Sequence, residues 1–188
     1  MKIFANRAKL LVSLIVLGAV FLLVTPEEAA AASAEEIDIK VDATLKQFRA
    51  EVNGGTEFLN SAKGVLVFPG VIKAGFGIGG EYGEGALRVG GKTVDYYNTA
   101  AASIGLQLGA QSKAIVIVFM TSKALQDFRA SSGWKAGVDG SVALIEWGAG
   151  EDLNTVDIKD PIIGFVFSNK GLMYNLTLEG SKFTKIDK

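Results

Sequence analysis

The stretch Lys73-Ala-Gly-Phe-Gly-Ile-Gly-Gly-Glu-Tyr-Gly-Glu-Gly85 constrains the fold of this 188-residue chain more than any other. Each glycine costs a helix about 1 kcal/mol relative to alanine, so the segment must be extended. At a period of two, Phe76, Ile78, Gly80 and Tyr82 share one face, while Gly75, Gly77, Gly79, Glu81 and Gly83 share the other. The strand therefore has a smooth side. Ser103 to Gln111 repeats the pattern, with Gly105 and Gly109 opposite Ile104, Leu106, Leu108 and Ala110. Such bare faces suit either a strongly curled sheet, with another part of the same sheet lying against the glycines, or the close approach of a ligand.

The same stretch contains Gly75-x-Gly77-x-x-Gly80, the spacing of a dinucleotide-binding turn. That chemistry requires the last glycine to open a helix whose amides face the pyrophosphate. Four glycines in the eleven residues after Gly80 prevent such a helix, and no crossover helix precedes Asp95. No nucleotide site is expected. Removing the first 34 residues leaves 16 basic and 18 acidic side chains, so no net charge draws the domain to nucleic acid.

Residues 1–34 read as a signal peptide: Lys2, Arg7 and Lys9, an apolar run from Leu10 to Val24, then small residues ending in Ala32-Ser33-Ala34. Cleavage is expected after Ala34, with an uncleaved N-terminal anchor as the alternative. The remaining 35–188 are of a size for one domain. With no cysteine there is neither a disulfide framework nor a lipidated N-terminal Cys, and with no histidine the Ser-His-Asp and Cys-His systems are closed. No carboxylate cluster offers itself as a metal or acid-base site. Glu81 and Glu84, the first candidates for a carboxylate-dependent hydrolase, point to opposite faces of their strand. No enzyme activity and no cofactor are expected.

Elsewhere the pattern gives a helix from Glu35 to Val52, a short helix from Thr56 to Ser61, and a helix near 122–131 capped by Thr121 or Ser122. Val65 to Phe68, stopped by Pro69-Gly70, and Ala114 to Met120 are apolar throughout, as strands covered on both faces are. Gly90-Gly91 predicts a tight hairpin between Ala86–Val89 and Lys92–Tyr97. Further strands are expected at 134–138 and 141–147 around an Asp139-Gly140 turn, and at 162–168 and 172–179 around Asn169-Lys170-Gly171. The expected class is α+β: a curled, largely antiparallel sheet, barrel-like or sandwich-like, with an N-terminal amphipathic helix and the short helix near 122–131.

The blocks AKGVLVFPGVIKAGFGIGGEYGEGALRV (62–89), SIGLQLGAQSKAIVIVFMTSKALQDF (103–128) and NKGLMYNLTLEGSKFTKI (169–186) resemble, in order, those of the SYLF domain family. The resemblance implies phospholipid binding, in an exported protein of the periplasm or extracellular space that associates peripherally with membranes. Where the family commonly has Trp-Ser-x-Pro, this chain has Asp95-Tyr-Tyr-Asn-Thr99, and the actin-related roles of some members do not carry over to a secreted single domain. In eukaryotic members the lipid contact is attributed to a basic, amphipathic N-terminal segment. The matching positions are Lys40, Lys46, Phe48 and Arg49, with Lys63 and Lys73 beside the first block as further candidates, and anionic lipid as the favoured partner. A core-packing helix with a solvated mixed face is the reading that residues 37–52 favour over direct lipid contact, because Glu35, Glu36, Asp38, Asp42 and Glu51 offset its cations. A different class of function, a structural or adaptor protein of the envelope that binds a protein partner through its glycine-rich sheet, fits the same sequence.

Overall fold

The computed structural model describes residues 32–52, 54–146, 159–168, 178 and 180–188, with backbone alone at 75–78, 103–111, 145–146 and 167–168. Two helices come first, α1 (Ala34–Glu51) and α2 (Gly55–Ser61). Two long strands follow, β1 (Gly64–Val89) and β2 (Lys92–Phe119), then α3 (Ser122–Ala130). Short strands complete the domain: β3 (Trp134–Lys135), β4 (Ala143–Glu146), β5 (Ile162–Ser168) and β6 (Lys182–Ile186). The class is α+β with a curled, mostly antiparallel sheet, as the sequence predicts.

β1 and β2 form one antiparallel ribbon that reverses at Gly90-Gly91, where φ values of 58° and 79° match a two-residue hairpin loop. Pro69-Gly70 does not stop β1. The register shifts between Phe68 and Val71, so the proline occupies a bulge on a strand whose pairing among the described residues is with β2 alone, a position that spares it a ladder hydrogen bond. Likewise the two predicted segments 103–111 and 114–120 are one uninterrupted strand.

The other edge of β2 is shared. Tyr96–Ala100 pairs with β6 and Lys113–Phe119 with β5. A strand at 182–186 lies beyond the elements predicted; its signal is the β-forming Phe-Thr-Lys-Ile after Gly180. Around Asp139-Gly140 the expected hairpin does not form. The Asp139 carboxylate accepts from the Lys135 N–H at 2.6 Å, and the chain turns locally. β3 then pairs with β6, whereas β4 runs parallel to β5. The predicted strand 172–179 lies outside the described residues apart from Leu178.

The ribbon curls until its ends meet. A Cβ on Gly83 would lie 2.8 Å from the Gly70 carbonyl oxygen, and one on Gly85 would collide with the Val67 carbonyl oxygen. At these two positions another part of the same sheet covers the smooth face, and only glycine permits the approach. Both faces of the joined ends are buried. Leu66, Phe68, Leu87, Tyr97, Ile115, Ile117 and Phe119 pack with Leu125 and Phe128 of α3, Trp134 and Phe183. On the opposite face Val65, Val67, Ala86, Val116, Val118, Ile163 and Phe165 pack under Ile37, Val41, Leu45 and Phe48 of α1 and Phe58 and Leu59 of α2. That two-sided cover is why Val65–Phe68 and Ile115–Phe119 are apolar at every position.

Candidate functional site

The periodicity of α1 buries one stripe, and its caps are local. The Ser33 hydroxyl accepts from the Glu36 N–H at 3.1 Å, and Val52 N–H closes on the Phe48 carbonyl. Phe48 is fully buried, edge-on to Phe165 with centroids 4.9 Å apart. Its ring fills the core and is not on the surface. Burying Ile37, Val41, Leu45 and Phe48 stabilises the docked helix by about 6 kcal/mol or more, at 1.5–3 kcal/mol per side chain, before ordering costs.

A polar clasp adds to this packing. The Asp38 carboxylate accepts from Thr93 Oγ1 at 2.7 Å and Tyr96 Oη at 3.0 Å, and lies 3.5 Å from the Arg88 guanidinium. Burial, then the hydrogen bond to Asp38 and its charge, pushes the Tyr96 phenol above its ordinary range, so it stays a donor. Arg88 also donates to Asp42 Oδ1 at 2.8 Å and to the Asp38 carbonyl at 3.3 Å. Its Nε is buried with no hydrogen-bond partner among the described residues.

Beside this clasp lies a cleft of about 260 Å3. α1 contributes Asp42, Leu45 and Arg49; α2 and its exit contribute Leu59, Asn60 and Ala62; the ribbon contributes Gly64, Val65, Arg88 and the Gly90-Gly91 turn. Apart from their chain neighbours, no described residue brings an atom within 4 Å of where a Cβ would stand on either turn glycine, so this side of the turn is open. Two guanidiniums and one carboxylate line the cleft. Lys46, three residues before Arg49 on α1, is exposed, as are Lys63 between Ala62 and Gly64 and Lys92 after the turn. In sequence these lysines adjoin lining residues; with Arg88 held by Asp38 and Asp42, Arg49 is the lining cation they reinforce, and a planar guanidinium donor beside an open turn suits a phosphate or carboxylate.

The candidate residues thus separate. Arg49 lines the cleft, and Lys46 and Lys63 are exposed chain neighbours of the lining residues Leu45, Ala62 and Gly64. Lys40 is exposed and pairs along the helix with Glu36 at 2.6 Å. Lys73 lies in the middle of the ribbon, 3.5 Å from Glu81, which also holds the buried Lys113 at 2.6 Å. Arg88 is the residue that sequence reasoning missed; its signal is a lone arginine amid the apolar run before Gly90-Gly91, unmatched by a cross-strand acid. Among the described residues no helix is long and apolar enough to cross a membrane.

Residues 100–188 match the Ysc84 family model, described as Las17-binding protein actin regulator. Over this stretch the chain is similar to the Ysc84, or SYLF, family, a family of lipid-binding domains. No curated protein matches the chain. The matched stretch holds most of β2 and everything after it. α1, α2, β1 and the cleft residues they supply precede it.

Proposed function

We propose that the protein is an exported, non-enzymatic phospholipid-binding protein of the cell envelope or secreted space, which meets anionic membrane surfaces peripherally through the cationic rim of the cleft. The observation that carries this reading is the family match over residues 100–188. Two features of the structure support the mode of contact. The apolar stripe of α1 is committed to the core, so insertion of Phe48 would first have to undo the packing and the Asp38 clasp. The side of the helix left for a membrane carries the exposed Lys46 and Arg49 together with Asp42, Glu51 and the apolar Ile39. Each lysine or arginine near an anionic surface contributes about 1 kcal/mol, so three to four such side chains give reversible, salt-sensitive association.

Co-sedimentation of residues 32–188 with vesicles across a salt series tests the reading. Binding to phosphatidylserine-containing vesicles at low salt, falling as salt rises and weak to phosphatidylcholine alone, is expected. No binding to anionic vesicles at low salt contradicts it. The adaptor reading draws on a separate observation: Ile72 and Tyr82, on the outer face of the ribbon's middle, are 57% and 50% exposed.

A further inference from the structure

On the outer face of the ribbon the cover supplied by α1 ends at one row. The helix packs over Ala86 and Tyr96. Ala32, just before the helix, is tied to Glu84 through Lys188, which donates to the Ala32 carbonyl at 2.9 Å and to Glu84 Oε2 at 2.8 Å. The next position of that face on β1 is Tyr82, which is exposed, as is Ala100 opposite it. From this row the bare surface runs along the ribbon to the pair Ile72 and Ser112, both exposed. Ala74, Gly80 and Ala102 are exposed along it. Between the two limits the register sets Ile78 opposite Ile104 and Ala74 opposite Ala110, and no residue from Ala74 to Gly80 or from Ala101 to Gln111 carries a charge.

A sheet with one bare face ordinarily makes that face the polar one. Here the order is reversed. The inward face of the same stretch holds the charges, Lys73, Glu81 and Lys113, joined as ion pairs. On the outer face, among the described residues, the only polar side chains from row to row are those of Tyr82 and Ser112 at its two limits. A protein interface carries about one hydrogen bond per 100–200 Å2, whereas hydrocarbon asks for none. Past Tyr82 and Ala100 the same row continues through Lys182 of β6 to Lys135 of β3. Both lysines are exposed, and neither has a carboxylate partner among the described residues. An apolar band, then a phenol, then ammonium groups is the order met on passing from the acyl region of an anionic leaflet to its phosphates.

We infer that the outer face of the ribbon's middle seats in the boundary layer of an anionic leaflet, with Ile72 and Ala74 against acyl chains, Tyr82 at headgroup level, and Lys182 and Lys135 on lipid phosphates. The ribbon lies in this layer and does not cross it. Among the described residues β1 pairs with β2 alone, and a strand edge inside hydrocarbon leaves its amides unsatisfied. The inference rests on the membrane reading above and adds an apolar contact to the charged one.

The chain has no cysteine, so a single introduced thiol carries a label at one chosen place. The protein, purified after export of the full chain, is labelled with the polarity-sensitive fluorophore nitrobenzoxadiazole at Ala74→Cys or, as a control, at Lys123→Cys on the exposed face of α3. With vesicles of phosphatidylserine and phosphatidylcholine, the label at position 74 is expected to shift to the blue and to be quenched by nitroxides on the acyl chains, while the label at position 123 keeps its aqueous emission. Ile72→Ser, on a side chain outside the core, is expected to weaken vesicle binding about fivefold, a loss that persists at high salt because it is not electrostatic. Protein that pellets with the vesicles while the label at position 74 keeps its aqueous emission overturns this inference and leaves the charged contact standing. A blue shift that appears without vesicles and grows with protein concentration overturns it in favour of a second copy of the chain. Protein absent from the pellet at low salt overturns both this inference and the membrane reading.

Discussion

The ends of the β1–β2 ribbon and its middle are built from the same strands by opposite rules. At the ends, residues 64–71, 85–97 and 114–119, most positions away from the Gly90-Gly91 turn are apolar, and they are covered by α1 and α2 on one face and by α3, β3 and β6 on the other. In the middle the outward face leaves Ile72 and Tyr82 in solvent, and the inward face carries Lys73, Glu81 and Lys113 in one ion cluster. Stability therefore resides in the ends. The middle must curve, and its glycines let residues 83–85 come against residues 67–71.

This contrast can be broken most severely at the ends. Phe48→Ala removes a fully buried ring at the α1–sheet junction and is expected to cost about 3–5 kcal/mol in urea unfolding. A cost below about 1 kcal/mol would mean that α1 is not part of the core. In the middle, Glu81→Gln strands the buried Lys113 ammonium and is expected to cost about 3 kcal/mol, while Glu81→Leu with Lys113→Met restores most of the loss.

A smaller, pH-dependent effect belongs to the ends again. Burial, with the negative charge of Asp95 adding to it, pushes the Tyr97 phenol up to about 12. The folded state then holds Tyr97 neutral where the unfolded chain ionises. Its contribution is intact below an ordinary value of 10.0 and is lost as pH rises from there through about 12. Tyr97→Phe is expected to flatten the decline of urea stability over that window; an unchanged slope would contradict it. Least of all, Ile72→Ser on the exposed outer face is expected to change stability by no more than about 0.5 kcal/mol.

Much of the ends was legible in the sequence. Apolar runs announce strands buried on both faces, Gly90-Gly91 marks the reversal, and Thr121 caps α3 through Ala124. Continuity through Pro69-Gly70 was not legible, because a bulge on a singly paired strand looks like a stop until the pairing is known. The cleft was half legible. Arg49 and Lys63 were visible as cations, but Arg88 becomes part of a site only through Asp38 and Asp42, 50 and 46 residues away.

The central claim is that the cleft rim, with α1 docked, makes the membrane contact. The direct measurement is vesicle co-sedimentation of Arg49→Glu/Lys63→Glu beside a control, Lys123→Glu, on the exposed face of α3. At about 1 kcal/mol per charge, losing two cations weakens binding to anionic vesicles at least about 30-fold, and the control loses far less. Equal binding by the rim variant and the unmodified protein would contradict the account.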